Sequence, residues 1–280
     1  MKQVKITVGL IIPVMFWVIY MLPAHTSGAS SEWTFAAMSD SQMGNRTFAR
    51  ILEAIKNDPL RPELITHSGD MIATRGSRAE WNTFYKMLNI LDGRIPVYSA
   101  VGNHDVNGPI SHRTYLEKVR PPGGKTHYSF EHKNALFIAL DTNMPGELRR
   151  IGAWQRKWLA HTLENRDPKK HRWTFVFFHI PIFPQGLYRK MKQPLIEGEK
   201  THEILRDHRV TAVFMGHEHM YNHTEKDNVH YFITGGAGGR LYKGWGGEFH
   251  HWIRVTVSDR KIVTQAIDLS GKVRDTQTIR

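Results

Sequence analysis

Five times in this chain an apolar, β-rich run ends on polar residues able to bind a metal ion. Trp33–Ser39 ends on Asp40-Ser41-Gln42, Leu64–Ser68 on Gly69-Asp70, and Val97–Val101 on Gly102-Asn103-His104-Asp105. Trp173–Phe178 ends on His179, and Val210–Met215 on Gly216-His217-Glu218-His219. In open α/β sheets ligands bind outside the carboxyl ends of strands, so five such ends can converge on one small volume. Buried and unpaired, these Asp and His groups would be costly there, and a pair of divalent cations would neutralise them. The mixture of carboxylate, amide and imidazole suits Mn, Fe, Zn or Mg.

The spacings fit that reading. In Asp40-x-Gln42 and His217-x-His219, residues two apart in an extended chain point the same way, so both members reach one site. Glycines at 69, 102 and 216 allow tight turns and close backbone approach. A lone GNHD or HxH is more often a structural turn than a site. Five in order, each after an apolar run, are hard to explain as turn chemistry.

The order of these motifs resembles that of the calcineurin-like metallophosphoesterases: D-x-H, G-D-x-x-(D/N), G-N-H-(D/E), a lone His, then G-H-x-H. The resemblance runs over residues 33–269. It implies an α/β fold, a four-layer α/β/β/α sandwich with mixed sheets and two metals at one rim. Carried over residue by residue, it gives Asp40, Gln42, Asp70 and His219 to one metal. It gives Asp70, Asn103, His179 and His217 to the other, with Asp70 bridging. Two divalent ions are the implied cofactor. The implied activity is hydrolysis of phosphate mono- or diesters by in-line attack of a metal-bridging hydroxide. His104 is then expected to stabilise or protonate the leaving oxygen, with Asp105 orienting or charging the imidazole.

Two positions depart from the pattern. Gln42 stands where most members have His, although an amide oxygen still ligates a hard cation. Ala73 stands at the Asp or Asn position of G-D-x-x-(D/N). A purple acid phosphatase would need a ligating Tyr there, which disfavours that subfamily.

Between the apolar runs lie amphipathic stretches, Asn45–Lys56, Ala79–Leu91, Ala153–Glu164 and Thr201–Arg206, expected as helices. Trp154, Trp158, Leu159 and Leu163 recur at helical spacing and are expected in the core. Strands Val229–Ile233, Trp252–Val257 and Lys261–Asp268 follow, with a turn at Ser258–Arg260. No linker or repeat divides residues 30–280, which read as one domain. His67 is expected in the core or behind the ligands. His112, His127 and His132 are expected in surface or core roles. Arg46 could meet a phosphate at a helix start or be solvated, and Arg240 and Lys243 lie in a glycine-rich loop where surface charge is the default.

Residues 1–29 stand apart. Lys2 and Lys5 precede the uncharged apolar run Ile6–Leu22, and Ser27 and Ala29 occupy the −3 and −1 positions of a plausible cleavage site. The run suits either a signal peptide or an N-terminal membrane anchor, and either places residues 30–280 outside the cytoplasm. The expected setting is periplasmic, secreted or tethered to the outer face of the cytoplasmic membrane.

The chain has no cysteine, which excludes disulfides, thiol nucleophiles and Cys-ligated zinc. No G-x-S-x-G elbow is present for a serine nucleophile. The formal net charge of +12 favours anionic partners, a small phosphate-ester substrate and an anionic membrane or cell-wall surface among them. No RNP-like, helix-turn-helix or stacking stripe is present, so nucleic acid is not an expected partner. The alternative function is a non-catalytic metal- or phosphate-binding protein on the same fold, which Gln42 favours.

Overall fold

The computed structural model describes residues 32–106, 108–191 and 193–280. The leader expected over residues 1–29 lies outside them. Among the described residues no helix is long and apolar enough to cross a membrane.

Two six-stranded sheets carry the fold. The first contains β1 (Trp33–Met38), β2 (Ile65–His67), β3 (Val97–Ser99), β12 (His251–Val257), β13 (Ile262–Asp268) and β14 (Val273–Ile279), ordered β14-β13-β12-β1-β2-β3. The second contains β4 (Tyr128–His132), β5 (Ala135–Ala139), β8 (Trp173–Phe177), β9 (Ala212–Met215), β10 (Tyr221–Lys226) and β11 (Val229–Thr234), ordered β10-β11-β9-β8-β5-β4. A small hairpin joins β6 (Asn143–Met144) to β7 (Glu147–Leu148). Strands β1, β2 and β3 run parallel, as do β5, β8, β9 and β11, whereas β12–β14 form an antiparallel meander. Parallel strands covered on both faces read as continuous apolar runs, which is why they were legible in the sequence.

Alternation along β1 assigns the layers. Phe35 and Ala37 face the second sheet, while Ala36 and Met38 face the helices outside. Between the sheets Phe35 meets Phe137 and Phe175 edge-on, at 5.1 and 4.9 Å between ring centroids. Fully burying one such ring is worth about 1.5–3 kcal/mol. The helix α1 (Asn45–Lys56) presents Phe48, Ile51, Leu52 and Ile55 to the first sheet, joined there by Trp81 and Phe84 of α2 (Arg78–Leu88) and Tyr115 of α3 (Pro109–Val119). On the far side α4 (Ala153–Glu164) and α6 (Gly198–Asp207) cover the second sheet through Leu159, Leu163 and Leu205, and the short α5 (Leu187–Lys190) sits in the loop between β8 and α6. The architecture is the expected helix, sheet, sheet, helix sandwich.

Several boundaries differ from the sequence reading. The helix expected over Ala79–Leu91 stops at Leu88, and Asn89–Leu91 tightens into a 3₁₀ turn. Trp154 is not core: it is 58% exposed, standing edge-on to His127 at the start of α4, where only Leu159 and Leu163 of the expected stripe are buried and Trp158 is half-covered. Helix α3 and strands β4, β10 and β14 went unrecognised.

Candidate metal centre

All five polar clusters lie at the carboxyl edge of the two sheets, and the backbone there is unusual. Asp40, Asp70 and His217 each adopt a left-handed backbone, with φ of 60°, 57° and 69°. Non-glycine residues held in that region concentrate at functional sites. The turns are too tight for larger residues at two glycines. A Cβ on Gly102 would lie 2.1 Å from the Asp70 nitrogen, and one on Gly216 would lie 2.4 Å from an Asp40 carboxylate oxygen.

The seven ligand candidates form one connected set. His179 Nε2 lies 3.0 Å from Asn103 Oδ1, 3.2 Å from Asp70 Oδ2 and 3.2 Å from His217 Nδ1. On the other side His219 Nε2 lies 3.3 Å from Asp40 Oδ1 and 3.4 Å from the Gln42 amide nitrogen. That same nitrogen is 3.3 Å from Asp70 Oδ2. One oxygen of Asp70 therefore touches both halves, the Asn103, His179 and His217 group and the Asp40, Gln42 and His219 group. The ligand atoms of Asp70, His179 and His217 all fall within 4.8 Å of one another.

Carbonyl partners aim the imidazoles. His179 Nδ1 donates to the Ser68 carbonyl at 3.0 Å, and His219 Nδ1 donates to the Arg240 carbonyl at 2.8 Å. Each bond leaves Nε2 directed at the cluster, the arrangement metal-bound histidines use. Arg240 thus contributes its backbone, while its side chain is exposed, as are those of Arg46 and Lys243.

The electrostatics are those of a site built around positive charge. Burial alone would raise the Asp40 carboxyl and lower the His179 imidazole. The opposed charges win in both: His219 and His179 hold Asp40 well below its usual range, and Asp70 and Asp40 push His179 up to about 9. His217, by contrast, is driven down to about 3 by burial and by its His179 neighbour. A cation would replace the proton on His179 in neutralising Asp40 and Asp70. The donors present fit divalent ions on a further count. Gln42 Oε1 is buried without a hydrogen-bond partner, while its amide nitrogen faces Asp70 and His219. Amide orientation is assigned from surroundings, and a cation between these groups would turn the oxygen inward and satisfy it.

Asp105 differs from the sequence expectation. It does not touch the His104 ring. One of its oxygens accepts from the backbone nitrogens of Met71 and Ile72 at 2.9 and 3.2 Å, the other from Asp70 and Gly102 at 2.9 and 2.8 Å. Burial and the Asp70 charge raise its carboxyl to about 7. Its position is dictated by four inward-pointing N–H groups that no other acceptor among the described residues reaches. The His104 ring is fixed instead by Nδ1 donating to the Ala73 carbonyl at 2.9 Å, while its backbone nitrogen donates to Asp70 Oδ1 at 2.7 Å. Among the described residues no hydrogen bond engages Nε2.

The remaining histidines occupy non-ligand places. His67 is buried behind the cluster against Ser41 Oγ at 3.1 Å, and burial lowers it to about 4. His112 bonds the Asn143 carbonyl, His132 bonds Glu63, and His127 packs against Trp154 and Trp158.

Three residues escaped the sequence reading. Tyr188 stacks on His217 at 4.1 Å and Tyr242 on His219 at 4.8 Å, so two phenol rings cover the two imidazoles of the last motif. Glu218, between those histidines, turns the opposite way and accepts from the backbone nitrogens of Gln185, Gly186 and Tyr188, holding the turn that carries Tyr188. Only Glu218 had a signal, a carboxylate alternating with two ligand candidates.

Residues 34–221 match the family model described as calcineurin-like phosphoesterase. The chain is 24% identical over 224 residues to "Serine/threonine-protein phosphatase CPPED1" of Rattus norvegicus, covering 76% of this chain and 69% of that one. Among solved structures it superposes on purple acid phosphatase PPD1 from yellow lupin with a TM-score of 0.73 at 16% identity, covering 89% of this chain and 54% of that one. The chain therefore spans about half the length of the lupin protein. It also superposes on GAP50 of Plasmodium, with a TM-score of 0.68 at 18% identity and 89% of each chain covered. Both likenesses are of fold.

Proposed function

The chain belongs to the calcineurin-like phosphoesterase family, and from that premise we propose that it is a metal-dependent hydrolase of phosphate mono- or diesters acting outside the cytoplasm. The observation that carries this reading is the single Asp70 oxygen shared between two groups of nitrogen and oxygen donors. Asp40, Gln42 and His219 would hold one ion, Asn103, His179 and His217 the other, and Asp70 both. The similarity to a protein named as a phosphatase supports the ester chemistry, and the charged-then-apolar pattern of residues 1–22 supports export.

Bound there, two divalent cations would supply Lewis acidity toward the phosphoryl oxygens and lower the pKa of a water. Hydrolysis breaks the ester P–O bond as a water oxygen joins phosphorus, and the proton lost by water is balanced by the one gained by the leaving oxygen. His104 is the residue placed to deliver that proton through Nε2, its ring held by the Ala73 carbonyl. Asp105 holds the peptide of Asp70, and so the position of the shared carboxylate. Tyr188 and Tyr242 limit water at the two imidazoles they cover. Ala73 offers no phenolate, so a purple-type centre is not part of the proposal.

Gln42 favours a second reading, a metal-binding protein without turnover. Residues 30–280, stripped and reloaded with Mn²⁺, separate the two on p-nitrophenyl phosphate and bis(p-nitrophenyl) phosphate. Metal-dependent turnover supports the hydrolase, and the faster ester identifies it as phosphatase or phosphodiesterase. No turnover of either ester with Mn, Fe, Zn or Mg would replace it with the binding protein.

A further inference from the structure

Beside the centre lies a cavity of about 280 Å³ lined by Asn103 and His217, by Tyr188 and by two arginines, Arg75 and Arg149. Arg75 follows the Gly69-Asp70 turn, and its Nε donates to the Asn103 carbonyl at 2.8 Å. Among the described residues that bond leaves the two terminal nitrogens of its guanidinium without a partner. Arg149 follows the β6–β7 hairpin in a left-handed backbone with φ of 57°. Its carbonyl accepts from the Ile196 nitrogen at 2.8 Å, and its guanidinium donates to the Pro194 carbonyl at 3.2 Å. The segment 194–196 thus clamps Arg149 at the cavity wall.

Acidic groups nearby are engaged elsewhere. Glu197 takes Arg156 at 3.2 Å and Lys200 at 2.6 Å. Glu80 accepts from the backbone nitrogens of Ala73 and Thr74, and Glu117 takes Arg78. The Glu147 carboxylate lies against Gly152 at the N-terminal cap of α4. Among the described residues no carboxylate lies within ion-pair distance of Arg75 or Arg149, whereas Arg78, Arg150 and Arg156 nearby all have one. Guanidinium groups match carboxylate and phosphate in planar, two-point fashion.

We infer that the alcohol portion of the substrate carries a second anionic group, a carboxylate or a phosphate, which Arg75 and Arg149 grip while the scissile phosphate sits at Asp70. This rests on the phosphoesterase reading and names the substrate class for it. A neutral ester fills the cavity without answering either guanidinium.

Four aryl esters test it on the Mn²⁺-loaded protein: phenyl phosphate, 4-carbamoylphenyl phosphate, 4-carboxyphenyl phosphate and 1,4-phenylene bisphosphate. Both kcat/KM and calorimetric Kd are read for each. The expected result is a preference of about tenfold or more for the carboxylate or the bisphosphate over the carbamoyl ester, carried mainly by KM, equivalent to about 1.4 kcal/mol. Which of the two is preferred identifies the anion. Arg149→Gln and Arg75→Gln should each shrink that ratio several-fold, their combination should bring it close to one, and Arg149→Lys should retain part of it. Turnover with a ratio near one in the parent protein, or a ratio unchanged in both Gln variants, overturns the inference. Absence of turnover with a charge-dependent ratio still present in Kd would instead remove the hydrolase and leave the anion site standing.

Discussion

Replacing Asp105 with Asn tests the part it plays here, holding peptide groups in place of orienting His104. Each carboxylate oxygen accepts from two buried backbone nitrogens, Met71 and Ile72 on one and Asp70 and Gly102 on the other. Asparagine keeps one oxygen and turns the other into a donor, so two N–H groups lose their acceptor whichever way the amide faces. Leaving a buried donor unsatisfied costs about 1–3 kcal/mol, which places the loss at about 2–6 kcal/mol. For a domain of this size about 1 kcal/mol corresponds to about 2–4 °C, so a central value of about 4 kcal/mol lowers Tm by about 8–16 °C. The assay is thermal unfolding followed by circular dichroism with a chelator present, so that loss of metal cannot supply the difference. A shift below about 2 °C under those conditions, together with a displaced pH–rate profile, would refute the reasoning and return Asp105 to the His104 ring.

His104→Ala should slow an alkyl phosphate by about 10²–10⁴-fold, the range of general acid catalysis, and p-nitrophenyl phosphate far less, because nitrophenolate leaves without a proton; equal slowing in steady-state assays contradicts the acid role. Gln42→His should tighten the weaker of the two metals by about tenfold or more in competition with a fluorescent chelator, since a neutral imidazole replaces an amide oxygen; an unchanged Kd removes Gln42 from the ligand set. His251 is fully buried, and burial and its His250 neighbour, opposed by the Phe249 carbonyl, lower its pKa to about 4 from an ordinary 6.5. The unfolded chain therefore binds a proton that the folded chain refuses between those values, so stability falls as pH drops through that window, by about 1.4 kcal/mol per pH unit. Urea unfolding at pH 4.5, 5.5 and 6.5 should show a slope smaller by about one proton in His251→Asn, and parallel slopes contradict the assignment.

What the sequence made legible followed from burial on both faces. Strands such as β5, apolar at every position, and β8, apolar but for Thr174, and helices such as α1, with Phe48, Ile51, Leu52 and Ile55 on one side, announce themselves by pattern. Helix α3 did not, because it turns Ser111, His112 and Thr114 inward and packs apolar side chains only in its second half, Tyr115, Leu116 and Val119. Strand β14 lies at a sheet edge with most of Val273–Ile279 exposed, so its alternation is too polar to read. At the centre, the side chains expected as ligands lie together because two-residue spacing and strand ends fix direction locally. The Asp105 contacts, the Tyr188 and Tyr242 stacking and the Arg149 clamp depend on loops distant in sequence, where no local periodicity encodes a partner.

Counting metal in the folded protein tests the central claim most directly. Elemental analysis after saturation and dialysis, on the parent protein and on Asp70→Asn with matched circular dichroism, should give about two ions per chain in the first. In the second it should give one or none, because the shared oxygen serves both groups of donors. Two tightly held ions in Asp70→Asn, or fewer than one in the parent protein, would contradict the account.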